Sequence, residues 1–89
     1  MSNSTHSDNS VLIVDDHPLY RDALVSLLSD LPLDATVVAV TSAEDGLRLV
    51  NKLTQLSLIL LDLTLPGMSG VEAVSAFAQA FPSVMMIII

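Results

Sequence analysis

The chain has 89 residues with a net charge of −7; 52% are hydrophobic and only 3% aromatic. That length holds one small domain. An acidic balance with only Arg21, Arg48 and Lys52 as fixed positive charges argues against a nucleic-acid surface within the chain, and the absence of cysteine excludes disulfides, thiolate metal sites and cysteine nucleophiles.

Residues 1–10 are polar, lack Lys and Arg, contain no apolar stretch, and read as a disordered tail without a targeting signal. The strongest apolar runs, around Leu56 to Leu61 and Val84 to Ile89, fall far short of the roughly 20 residues needed to cross a bilayer. A soluble, cytoplasmic chain with no membrane partner is therefore expected. A core of this composition must come from Leu, Val, Ile, Ala and Met, the palette of a buried parallel sheet.

Val11 to Val14 is an apolar, β-branched run followed at once by polar turn residues, which favours a buried strand. Pro18 suits the first turn of a helix, where its missing N–H is not needed. Leu19, Ala23, Leu24, Leu27, Leu28 and Leu31 then recur at helical spacing, with Arg21, Asp22, Ser26 and Ser29 opposite, until Pro32 ends the helix. Thr36 to Val40 reads as a second strand. Ser42 and Asp45 resemble a capping box, with Glu44 and Asp45 favouring the positive end of the helix dipole. This second helix is expected to run to about Leu53 despite Gly46, with Leu47, Val50 and Leu53 as its core stripe.

Leu58 to Leu61 forms the third strand, and its lack of polar alternation implies that both faces are covered. Pro66-Gly67 suits a type II turn. Val71, Val74, Phe77, Ala78 and Phe81 mark a third helix that stops at Pro82, and Val84 to Ile89 a fourth strand. The order βαβαβαβ with short connections implies a parallel, doubly wound α/β sheet. Functional crevices in such sheets lie outside the carboxyl ends of the strands. Asp15 and Asp16 follow the first strand and Asp62 follows the third, so three carboxylates converge at one sheet edge. At a spacing of roughly 5 Å and an effective dielectric near 20, each pair would repel by about 3 kcal/mol. Such a cluster should hold a proton or bind a divalent cation.

The Leu12 to Pro18 segment ending in Asp-Asp-His-Pro, the Leu58 to Gly70 segment with Asp62 and Pro-Gly-Met-Ser-Gly, and the 46-residue interval from Asp16 to Asp62 resemble the receiver domain of bacterial two-component response regulators. The following Leu-Tyr-Arg-Asp-Ala-Leu is most similar to regulators with a LuxR-type output domain. The resemblance implies a flavodoxin-like doubly wound sheet of strand order 2-1-3-4. Residues 11–89 would be the (βα)3β part of a (βα)5 receiver, incomplete at its C-terminus.

By the same resemblance Asp62 is the phosphoacceptor nucleophile, receiving a phosphoryl group from a sensor histidine kinase with the help of Mg²⁺. Asp16 would bind the ion directly, Asp15 through a metal-bound water, and Asp62 together with the Thr64 backbone carbonyl would complete the protein ligands. Thr64 departs from the polar amide or acid common there, which leaves its carbonyl available. The chain would be regulatory rather than an enzyme, acting on DNA only through an output domain it does not contain, with a homodimer formed in the parent protein. The family's switch Ser or Thr and its Lys would fall beyond Ile89, so switching by these residues alone is expected to be impaired.

Blander readings stand beside these. Asp15 can cap the first helix while also supporting a metal. His17 lacks a partner at ligand spacing and reads as a turn residue rather than a ligand; His6 falls in the tail. Met68, Met85 and Met86 read as packing residues, and Gly67 and Gly70 as turn geometry. One functional alternative is an interaction module that docks without phosphorylation. A haloacid-dehalogenase-like phosphatase is a weaker one, because the acid two residues after its nucleophile is replaced here by Thr64.

Overall fold

The computed structural model describes residues 9–30, 35–50, 55–62 and 70–89. The tail up to residue 8, Leu31, Leu53 and the segment with Thr64, Pro66, Gly67 and Met68 lie outside the described residues. The elements are β1 (Asn9–Val14), α1 (Pro18–Asp30), β2 (Thr36–Val40), α2 (Ala43–Val50), β3 (Gln55–Leu61), α3 (Gly70–Ala80) and β4 (Met85–Ile88). The four strands form one sheet in the order β2-β1-β3-β4, every pairing parallel. This is the order expected from the sequence. Two strands begin earlier than their apolar runs: β1 takes in Asn9 and Ser10, placed in the tail above, and β3 starts at Gln55. A register shift between Ser10 and Val11 lets Leu56 face Ser10 while Leu58 faces Val11.

Beyond that shift the register is regular, and Val14 lies beside both Val40 and Leu61. Three strands thus end flush, which fixes where the acids emerge. β1 is covered on both faces, with Leu12, Ile13 and Val14 fully buried. Alternation along the strands sends Leu12, Val14, Ile59 and Leu61 into one core with Ala43, Ala73 and Phe77. Close approach of α2 to this core depends on Gly46. A Cβ there would lie 3.0 Å from Phe77 Cζ and 3.4 Å from side-chain carbons of Leu12 and Val40.

Two helices bury only part of the apolar stripe read in the sequence: Leu24 and Leu28 on α1 are half-buried, and Val74, Phe77 and Phe81 lie in or against the core, while among the described residues the rest of each stripe does not. On α1 the half-buried residues are Arg21, Leu24, Val25 and Leu28, whereas Leu19, Ala23 and Leu27 face outward. The helix carries two apolar stripes, and β1 and β2 accept only one of them. On α3 the buried pair is Ala73 and Phe77, while Val71, at 81% exposure, and Ala78 point away from the core. The small Ala73 fits against the sheet where a larger residue would hold the helix off.

Candidate functional site

Asp15 and Asp62 continue the sheet's hydrogen bonding one residue past the strands. The Asp15 N–H donates to the Val40 carbonyl at 3.1 Å, and the Asp62 N–H donates to the Val14 carbonyl at 3.0 Å. Both acids are therefore placed by backbone, with no dependence on a loop. Asp15 is fully buried, Asp62 nearly so, and Asp16 is half-buried.

The β1–α1 turn then brings His17 back over the acids. Asp15 Oδ1 accepts from the His17 N–H at 2.9 Å, the pattern by which an Asp side chain closes a turn on the residue two positions later. The His17 carbonyl accepts the first helical bond from the Arg21 N–H at 2.8 Å, with Pro18 at the opening helical position. Asp15 thus supports the helix start as well as facing the site. In this setting His17 Nδ1 lies 3.1 Å from Asp15 Oδ1, 3.3 Å from Asp16 Oδ1 and 3.4 Å from Asp62 Oδ2.

One ligand atom from each of Asp15, Asp16, His17 and Asp62 falls in a group whose members are all within 4.8 Å of one another. The hydrogen bond to Asp15 and the charge of Asp16 raise the His17 imidazole above its ordinary pKa; desolvation opposes them more weakly, and the charges of Asp15 and Asp62 add the smallest contributions. Among the described residues, two buried oxygens, Asp15 Oδ2 and Asp16 Oδ1, have no hydrogen-bond partner. Unsatisfied acceptors in a buried acidic cluster fit a cation with an appetite for oxygen.

The acids anticipated from sequence are thus brought together, while Thr64 lies outside the described residues. His17, read from sequence as a turn residue, does close the turn, and its ring also stands against all three carboxylates. Its signal was the Asp-x-His-Pro spacing: an Asp-closed turn just before a helix folds the third residue back towards the first. At the start of α2 the capping expectation is met in part. Ser42 Oγ accepts from the Asp45 N–H at 3.1 Å, but the Asp45 carboxylate pairs with Arg48 rather than reaching back to Ser42.

Residues 11–89 match the response regulator receiver domain family. The chain belongs to that family. Among its relatives, the nitrate/nitrite response regulator NarL of Escherichia coli is 39% identical over 77 residues, covering 85% of this chain and 35% of the relative. The chain spans about a third of the length of the curated relatives it matches. A LuxR-family two-component response regulator from an Aurantimonas species is 31% identical with a TM-score of 0.73, covering 89% of this chain and 56% of that one. The response regulator TrrA of Thermotoga maritima, solved in complex with Mg²⁺-BeF, shares the fold at a TM-score of 0.78 and 24% identity, over 90% of this chain and 67% of its own. Among the described residues of the receiver, no helix is long and apolar enough to cross a membrane.

Proposed function

We propose that this receiver accepts a phosphoryl group on Asp62 from the phosphohistidine of a sensor histidine kinase, and so controls an output domain in a longer parent protein. The observation that carries the reading is the convergence of Asp15, Asp16 and Asp62 at the flush carboxyl ends of β1 and β3, with two of their buried oxygens lacking a hydrogen bond among the described residues.

In the transfer, an Asp62 carboxylate oxygen attacks phosphorus. The phosphorus–nitrogen bond breaks, its electron pair stays on the donor imidazole, which takes up a proton, and an acyl phosphate remains on Asp62. Asp15, Asp16 and Asp62 would hold Mg²⁺, with the Thr64 carbonyl as a further oxygen donor and Asp15 acting through water. The ion, when bound, neutralises and orients the phosphoryl oxygens. The protein's own contribution is rigidity: backbone bonds to Val40 and Val14 hold Asp15 and Asp62 in place before the donor arrives.

The role is regulatory and the setting cytoplasmic. Likeness to a LuxR-family regulator supports transcription control, with DNA bound by the output domain of the parent. Incubation with Mg²⁺ and a small phosphodonor, followed by mapping of any hydroxylamine-labile adduct by mass spectrometry, tests the reading. One phosphate on Asp62, lost in Asp62→Asn and without Mg²⁺, is the expected result. A folded chain that takes no phosphate would overturn it, and rapid turnover of phosphomonoesters would point to a phosphatase instead.

A further inference from the structure

The site holds one donor that the phosphoacceptor reading does not use. We propose that His17 is an additional protein ligand of the acid site through Nδ1, giving the site a preference for a first-row transition-metal dication over Mg²⁺. The inference rests on the metal site proposed above and adds the identity of the ion it favours.

Geometry is the first argument. With metal–nitrogen and metal–oxygen bonds of about 2.0–2.2 Å, neighbouring ligands on one ion stand roughly 2.8–3.6 Å apart, from six- to four-coordinate geometry. His17 Nδ1 already stands at 3.1, 3.3 and 3.4 Å from one oxygen of each of the three acids. An ion bound by Nδ1 would have one oxygen of each acid nearby, since the four atoms all lie within 4.8 Å of one another. The second argument is independent of the cluster's charge: Asp15 is 0% exposed, yet among the described residues its Oδ2 has no hydrogen-bond partner. A buried acceptor left open in this way calls for a positive ligand.

Chain geometry fixes which imidazole nitrogen is offered. Because the His17 backbone N–H is tied to Asp15 Oδ1 and Pro18 starts the helix at once, the ring reaches the acids with its near nitrogen, Nδ1. Ligation through Nδ1 requires the neutral imidazole with its proton on Nε2. Donor chemistry then sets selectivity. Mg²⁺ takes oxygen and keeps its waters, whereas imidazole nitrogen favours Co²⁺, Ni²⁺ and Zn²⁺.

The competing role for His17 is that of a counter-ion, its imidazolium occupying the place of the metal. Isothermal titration of the chain with Co²⁺ and with Mg²⁺ at mildly alkaline pH separates the two. In His17→Ala, Co²⁺ affinity is expected to fall by about tenfold or more, with Mg²⁺ affinity within about threefold of the wild type and the cobalt visible bands altered. His17→Gln, which keeps a polar side chain without the imidazole, should behave alike, and circular dichroism checks that both variants are folded.

Tighter binding of both ions by His17→Ala would establish the counter-ion and overturn the proposal. Unchanged binding of both would make His17 a bystander and overturn it equally. If a folded wild type bound neither ion, the metal reading itself would fail along with this extension of it. Mg²⁺ binding with no His17-dependent preference for Co²⁺ would leave the first reading standing and remove only the second.

Discussion

Asp15 satisfies one carboxylate oxygen with the N–H and ring of His17 and, among the described residues, leaves the other buried and open. Such a group destabilises the metal-free fold, through its own desolvation and through repulsion by Asp16 and Asp62. Asp15→Asn keeps an oxygen for the His17 N–H while removing the charge. In EDTA the variant should be more stable than the wild type by about 1–2 kcal/mol in urea unfolding, a fraction of the pair repulsion at this spacing. It should also lose the stabilisation that Mg²⁺ gives the wild type. A less stable variant in EDTA would mean that the His17 contact already compensates the charge. His17 supplies a pH signature of its own. Its pKa is raised in the fold, so its contribution is fully present below the ordinary histidine value and is lost as pH rises through the folded value. Proton NMR in EDTA should place the His17 midpoint above about 6.5, and Asp15→Asn should lower it; a midpoint at or below that value would mean the ring does not face the acids in solution.

At the scale of elements, Gly46 sets how closely α2 approaches the core. Alanine would favour the helix by about 1 kcal/mol over glycine, but its Cβ would press on the Phe77 ring at 3.0 Å, and Phe77 is fully buried with little room to turn. Overpacking of this kind costs about 1–3 kcal/mol, so Gly46→Ala should destabilise by about 1 kcal/mol net in denaturant unfolding. A more stable variant would show that Phe77 yields. The same helix–sheet contacts explain what was legible in the sequence. Apolar runs bounded by turns located β1 to β4, and the acids at their ends located the site, because a strand's period leaves few alternatives once both faces are buried. Helix phase was less legible. Apolar residues at Leu19, Ala23 and Leu27 compete with those at Leu24, Val25 and Leu28, and local spacing cannot say which stripe the sheet accepts. The His17 contact was hidden for a related reason: it arises from a turn closing on itself, and only the placement of Asp15 by the Val40 carbonyl turns that closure towards Asp62.

At the scale of the whole molecule, the β4 side of the sheet exposes apolar surface. Among the described residues β4 pairs with β3 alone, leaving an edge on which Met85 is 66% exposed and Ile87, Ile88 and Ile89 are also exposed. Beside it, Val71, Val74, Ser75 and Ile88 line a groove of about 500 Å³. An unpaired apolar strand is a template for another chain, while a net charge of −7 opposes close approach of two copies. The balance should therefore depend on salt. At low ionic strength repulsion keeps copies apart, and at about 0.15 M, where screening acts over roughly 8 Å, the edge should drive concentration-dependent association in sedimentation velocity. Ile87→Lys places a charge on the strand edge and should restore the monomer. Val71→Lys changes only the groove and leaves the backbone donors and acceptors of β4 available, so it should have a smaller effect. If Val71→Lys disperses the oligomers and Ile87→Lys does not, the groove rather than the strand edge joins the copies; a monomer at every salt concentration would show that charge repulsion outweighs both.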